Sequence, residues 1–138
     1  MGLNNYGQYG NETTNDVPSK RFRVTDTSAL QVSGIAVSDG QTVLLSRDGT
    51  VYTAGARIAN DETSESNTFV PLFTKSEQSP AAIAIAANYQ NGAMIARDGS
   101  VWGWGNNSCG QLANGFITVK NYIIRRGSFM KRKTYCNP

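Results

Sequence analysis

The 138-residue sequence contains no histidine. This absence excludes a histidine-based catalytic triad and a zinc site built from cysteine and histidine. Cysteine is scarce as well, since Cys109 and Cys136 are the only two. Nothing in their spacing argues for a disulfide, although one between them stays open. The sequence therefore predicts a protein that is not an enzyme and holds no metal or cofactor.

Long apolar runs are also missing. The longest extends from Ala81 to Ala87, far short of the roughly 20 residues that a membrane-spanning helix needs. The first ten residues lack the basic start and the apolar centre of a signal peptide. We therefore expect no membrane contact and, by default, an intracellular location. No stretch sustains an apolar period of 3.6 residues over several turns, and this favours an all-β fold.

Acidic residues are absent from the end of the chain, residues 116–138, which carry six of the 13 basic residues. Because basic side chains attract phosphates, nucleic acid is a possible but not the favoured partner of this basic tail, and short basic runs are commonly just solvated. The residues that could contact phosphates are Arg125, Arg126, Lys131, Arg132 and Lys133.

What the sequence does contain is an internal repeat. Arg97–Gly105 reads R-D-G-S-V-W-G-W-G, and Arg47–Gly55 reads R-D-G-T-V-Y-T-A-G at an offset of 50 residues. The connector N-S-C-G-Q-L at 107–112 has an earlier counterpart at an offset of 103, N-N-Y-G-Q-Y at 4–9, whereas the middle copy has decayed. Repetition of this kind indicates one supersecondary unit used more than once. We predict units at about 2–54 and 55–104, the start of a third at 105–115, and a separate tail at 116–138.

Each unit predicts a small antiparallel meander. Asp48-Gly49 and Asp98-Gly99 each join two β-prone runs, which indicates a hairpin with a two-residue primed turn. Residues 57–67 are acidic and polar and predict a surface loop. The predicted strands are Gly34–Ser38, Thr42–Arg47, Thr50–Ala54, Phe69–Phe73 at an edge, Ala82–Ala87, Ala93–Ala96 and Ser100–Trp102.

Together these segments resemble the regulator of chromosome condensation repeat. The residues that carry the resemblance are Ile35–Gly55, Trp102–Gly115 and Gly2–Gly10, within residues 2–115. The resemblance implies a β-propeller, here a partial one of about two four-stranded antiparallel blades. Two blades leave faces and strand edges open, so we expect a fragment of a longer protein, a truncated gene product, or a chain that completes a ring by self-association through open blade edges.

For function, the resemblance implies a module for protein–protein interaction whose partner the sequence does not identify. A guanine nucleotide exchange factor or a chromatin-associated regulator is the alternative that the family also implies. The residues we expect on an interaction surface are Arg47, Arg97, Trp102 and Trp104.

Two further features bear on possible chemistry. Asp48 and Asp98 could form an acid–base pair of a hydrolase, but aspartate favours hairpin turns and we predict that both serve there. Gly103, Gly105 and Gly110 do not fit the phosphate-binding spacing of G-x-G-x-x-G, so we reject a nucleotide site.

Overall fold

The computed structural model describes residues 3–14, 25–56, 65–73, 80–89, 91–113 and 124–126. Among them are eight β-strands, one single-turn 3₁₀ helix at Ser28–Leu30 and no α-helix, which confirms the all-β prediction. No helix in this part of the chain is long and apolar enough to cross a bilayer. The strands are β1 Val32–Val37, β2 Gln41–Ser46, β3 Val51–Ala56, β4 Glu65–Pro71, β5 Ala82–Asn88, β6 Asn91–Ala96, β7 Val101–Gly105 and β8 Ile124–Arg126.

The strands form two four-stranded sheets whose spatial order follows the sequence, and all neighbouring strands are antiparallel. We call the sheet of β1–β4 blade 1 and the sheet of β5–β8 blade 2. The pairing register repeats with the sequence: Ile35 lies opposite Leu44 in blade 1, and Ile85 lies opposite Met94 in blade 2. The predicted pair of antiparallel blades is confirmed.

The hairpin turns differ from the predicted two-residue primed turns. The amide of Gly49 donates to the carbonyl of Ser46 at 3.0 Å, and the amide of Ser46 donates to the carbonyl of Thr50 at 2.9 Å. Only Gly49, at φ 93°, has a positive φ in this turn. This geometry is a three-residue loop in which a type I turn precedes a left-handed glycine. The turn at Gly99 has the same two hydrogen bonds.

The outer strands extend beyond the predicted segments. Strand β4 begins at Glu65, so the predicted loop at 57–67 is wrong for its last three residues, while residues 57–64 lie outside the described part. Strand β8 lies within the basic tail and pairs with β7 through the backbone of Ile124 to Arg126. Because the sheets span 32–71 and 82–126, blade 1 crosses from the first predicted unit into the second, and blade 2 extends from the second predicted unit into the basic tail.

The hydrophobic core lies between the two blades. We call the face of a blade that points toward the following blade its forward face, and the opposite face its rear face. The forward face of blade 1 contributes Val43, Leu45 and Val51 to the core, and the rear face of blade 2 contributes Met94 and Trp104. Burial of such side chains stabilises each by about 1.5–3 kcal/mol, so the contact between the blades holds the described fold together.

Two connectors share one structure. In the loop of residues 3–10, the side-chain oxygen of Asn4 accepts a hydrogen bond from the Tyr9 amide at 2.9 Å. In the loop of residues 106–113, the Asn107 side chain accepts from the Leu112 amide at 3.0 Å. The repeat predicted at an offset of 103 residues is therefore present in the hydrogen bonds of the two loops as well as in their sequences. We call these the N-terminal loop and the second loop.

Candidate functional site

The forward face of blade 2 is apolar and uncovered. Its side chains come from cross-strand partners on β5, β6 and β7. Ile95 is 44% exposed and Val101 is 43% exposed, whereas their copies in blade 1, Leu45 and Val51, are 7% and 3% exposed. The same positions of the repeat are thus covered in one blade and open in the other. The residues of this face are Ala84, Ala86, Ala93, Ile95, Val101 and Gly103, none of them charged.

A groove of about 290 Å³ runs along this face beside the second loop. Leu112 forms part of its wall, and a Cβ built on Gly103 would lie 3.2 Å from Leu112 Cδ2. Val101 and Ala93 also line the groove. A groove with this lining suits an apolar side chain of a partner, because apolar surface removed from water supplies most of the free energy of association.

The rear face of blade 1 is the second uncovered surface. Ile35 and Val37 on β1 are 66% and 64% exposed, while Leu44 beneath them is buried. A cavity of about 750 Å³ lies between this face and the N-terminal loop, lined in part by Leu44, Tyr9 and Phe69. The chain therefore has one open apolar face at each end of its pair of blades.

Trp104 is fully buried, which corrects the expectation that it lies on an interaction surface. A Cβ built on Gly92, its cross-strand partner, would overlap the indole ring, so the ring occupies the space that glycine leaves free. Its indole nitrogen Nε1 has no hydrogen-bond partner among the described residues. Trp104 is a core residue and contributes to stability.

Trp102 lies at the edge of the core and is only partly exposed. Its indole nitrogen donates a hydrogen bond to the Ser100 hydroxyl at 2.8 Å. Its ring meets Phe73 edge to face, with centroids 5.8 Å apart and an interplanar angle of 84°. One side of Trp102 therefore packs in the core, and a role for the remainder in partner binding stays a prediction.

Arg47 and Arg97 are exposed on the two hairpin turns. Their backbone amides donate to the carbonyls of Gln31 and Ala81 at 3.1 and 2.9 Å, so the backbone at both residues is fixed while the side chains reach solvent. Arg97 lies four residues before Val101 and so at one end of the forward face of blade 2. Its predicted place on an interaction surface remains a proposal.

Asp48 and Asp98 serve the turns. The Asp48 carboxylate accepts a hydrogen bond from the Thr50 amide at 2.8 Å, and Asp98 accepts one from the Ser100 amide at 2.9 Å. The hydrogen bond from the Thr50 amide, helped by the Thr50 and Ser46 hydroxyls, lowers the pKa of Asp48 below its ordinary value. Among the described residues no group of histidine, cysteine, aspartate or glutamate could hold a metal ion.

Most of the residues predicted to contact phosphates lie outside the described part of the chain. Lys131, Arg132 and Lys133 lie outside the described residues, and of Arg125 and Arg126 only the backbone of β8 is described. Cys109 occupies in the second loop the position that Tyr6 has in the N-terminal loop. It is disulfide-bonded, and Cys136 lies outside the described residues.

Two four-stranded antiparallel sheets stacked face to face, each closed by the same hairpin turn, define the chain as blades of a β-propeller. The residues identify the kind of blade. Residues 82–111 match the model of the regulator of chromosome condensation (RCC1) repeat, which confirms the resemblance seen in the sequence. A search of curated proteins found no match.

Solved structures share the fold. Human WBSCR16 superimposes with a TM-score of 0.77 at 21% identity, over 92% of this chain and 34% of its own. Prp20p from Saccharomyces cerevisiae, studied with its binding to Gsp1p and histones, has a TM-score of 0.68 at 20% identity, over 92% of this chain and 33% of its own. Yeast RCC1 (Prp20) bound to Kap60 has a TM-score of 0.60 at 18% identity, over 87% and 31%. The chain thus spans about one third of the length of these propellers.

Proposed function

We propose that this chain is a non-enzymatic module that binds another protein through the forward face of blade 2. The observation that carries the proposal is the contrast between copies of one repeat: Leu45 and Val51 are covered by blade 2, while Ile95 and Val101 are open to solvent. Contiguous exposed apolar surface of this kind is typical of interaction sites. The binding of Prp20p to Gsp1p and histones, and of yeast RCC1 to Kap60, supports a protein as partner.

The chemistry of the face describes the partner surface. The positions of the forward face on β5, β6 and β7 carry no charge, and the groove beside Leu112 admits an apolar side chain. Arg126 stands opposite Val101 on the outer strand β8, and Arg97 and Gln111 stand on the neighbouring loops. We therefore expect a partner with an apolar centre and a polar or acidic rim, the usual anatomy of a protein interface. Trp102 borders the same groove, but its ring packs on the rear face against Phe73, so the apolar contact in the groove rests on Val101 and Leu112.

Photo-crosslinking tests this proposal. A photoreactive amino acid replaces Ile95, and in a matched control it replaces Ile83, which is 58% exposed. Ile83 lies at the bulge of β5, and its copy Ser33 stays exposed although the forward face of blade 1 is covered. Purified histones, Gsp1p, Kap60 and the chain itself are offered separately. We expect an adduct from position 95 with at least one of them and none from position 83; the absence of every adduct at position 95 contradicts the proposal.

Guanine nucleotide exchange is the second candidate, favoured by the binding of Prp20p to Gsp1p. The assay is release of labelled nucleotide from a small GTPase in the presence of the chain. Faster release supports exchange, and an unchanged rate leaves protein binding alone. Non-specific contact of the basic tail with nucleic acid stays a prediction. If the tail binds nucleic acid, the chain should be retained on a nucleic-acid column, and the retention should weaken steeply as salt increases.

A further inference from the structure

The chain contains its own example of how two of its blades pack. The forward face of blade 1, with Val43, Leu45 and Val51, covers the rear face of blade 2, with Ile85 and Met94. Each of these faces has a second copy in the same chain that is not covered in this way. They are the forward face of blade 2 and the rear face of blade 1.

The exposed copies are chemically suited to the same contact. Ile95 and Val101 replace Leu45 and Val51 at an offset of 50 residues, and Ile35 replaces Ile85. Ile35 is 66% exposed, whereas Ile85 packs against the core. Ile35, Ile95 and Val101 are uncharged, so a contact between these positions buries no charge without a partner. Arg126 lies opposite Val101 on the outer strand β8, at the border of the forward face.

The N-terminal loop lies at the edge of the rear face of blade 1. Gln8 is buried there, and its side-chain nitrogen Nε2 donates to the Asp39 carbonyl on the β1–β2 turn at 3.5 Å. A Cβ built on Gly55 would lie 3.0 Å from Gln8 Cβ. The residue that follows the loop, Asn11, forms an isolated bridge with Thr68 of β4. The loop thus docks on blade 1 along both its inner turn and its outer strand.

The second loop has the same internal structure, and no further blade follows it among the residues that the structure describes. The Gln111 side-chain oxygen accepts from the Cys109 amide at 2.9 Å, as Gln8 accepts from the Tyr6 amide at 3.0 Å. Yet Gln111 is exposed, whereas Gln8 is 6% exposed. The second loop is therefore already folded in the form that docks on a blade such as blade 1.

We propose that two copies of this chain associate head to tail, with the forward face of blade 2 of one copy on the rear face of blade 1 of the other. In this contact the second loop of the first copy takes the place of the N-terminal loop of its neighbour. The inference rests on the proposed function, since it names a second copy as the protein that binds there. The contact uses faces of the blades and not their edges, and because it is heterologous a dimer keeps one open face of each kind.

Sedimentation of the full chain over a range of concentrations tests the proposal. The expected result is a mass that rises above the 14.9 kDa of one chain as concentration increases. Ile95→Asp buries a charge without a partner in the contact and should weaken association more than about tenfold. Val101→Thr, a milder change in the same face, weakens it less, and the control Ile83→Asp leaves it unchanged.

The two glutamines form a matched pair with opposite expected effects. Gln111→Ala removes a docking hydrogen bond from the incoming loop and should weaken association about three- to tenfold. Gln8→Ala loosens the resident loop and should strengthen association by a similar factor. If the two variants change association equally, or not at all, the second loop does not take the place of the neighbour's N-terminal loop.

A mass of one chain at every concentration overturns the head-to-tail contact, as does association that Ile95→Asp leaves intact. The outcome separates this inference from the proposed function. If the chain stays monomeric while position 95 crosslinks to histones, Gsp1p or Kap60, the interaction face stands and the second copy is excluded. If position 95 crosslinks to nothing, both fail.

Discussion

The pair of Trp104 and Gly92 offers the sharpest test of how side chains pack in the core. The corresponding residues of blade 1 are Ala54 and Thr42, which are cross-strand partners just as Trp104 and Gly92 are. The larger residue of the pair lies on β2 in blade 1 and on β7 in blade 2. Trp104 has no exposed surface, and a Cβ at Gly92 would overlap its ring. The two positions therefore share one volume, and we expect their substitutions to be strongly coupled.

The magnitudes follow from burial and overlap. Trp104→Ala should lower the free energy of unfolding by about 3–5 kcal/mol, the usual cost of emptying a buried aromatic site. Gly92→Ala should cost about 1–3 kcal/mol through overpacking, because the ring must move. In the double variant the Cβ enters the space that the ring has left, so the total should not exceed that of Trp104→Ala alone. The coupling energy is then about 1–3 kcal/mol.

Urea denaturation of the wild-type chain, the two single variants and the double variant measures this coupling. Gly34→Ala is the control, because a Cβ there would lie 3.5 Å from Leu45 Cβ, an ordinary contact, and should couple to Trp104→Ala by less than about 0.5 kcal/mol. Additive effects of Gly92→Ala and Trp104→Ala within that margin would refute the shared volume.

Three smaller predictions test the loops and the blade 1 core. Ala113 has a φ of 51°, where a side chain is strained, so Ala113→Gly should raise the free energy of unfolding by about 0.5–1 kcal/mol; no gain in urea contradicts this. Thr53→Val removes the acceptor of the buried Gln41 amide, bonded at 2.9 Å, and should cost about 1–3 kcal/mol, whereas Thr53→Ser should cost less. The pKa of Asp48 is lowered in the folded chain, so its carboxylate stabilises the fold at any pH above the ordinary aspartate pKa of about 3.9. This stabilisation is lost as pH falls through the lowered pKa. Asp48→Asn should therefore be less stable than wild type at pH 7 and equally stable at about pH 2. A stability difference that does not change with pH contradicts that role.

The strands and their repeat could be predicted because they depend on local signals. Alternating apolar residues such as Ile35 and Val37 identify β1, and the offset of 50 residues links β1, β2 and β3 of blade 1 to β5, β6 and β7 of blade 2. The turn type could not be predicted in the same way. Asp-Gly is favourable both in a two-residue primed turn and in the three-residue loop that the structure contains, where only Gly49 needs the positive φ.

Long-range pairing explains the other differences. Strand β8 pairs through the backbone of Ile124 to Arg126, and backbone pairing sets no requirement on which side chains occur there. Trp102 and Trp104 lie on the same face because they are two residues apart, so the sequence did not show which one would be buried. The signal was present in the opposite strand, where Gly92 leaves room for one ring and Met94 does not.

The two matched connectors have a consequence for how this protein can change over time. Their shape depends on the side chains of an asparagine and a glutamine that bind the backbone of their own loop. Other positions of the connector hold different residues in the two copies: Tyr6 corresponds to Cys109, and Tyr9 corresponds to Leu112. Since these side chains do not determine the course of the chain, mutation can alter what the connector touches while its conformation is retained.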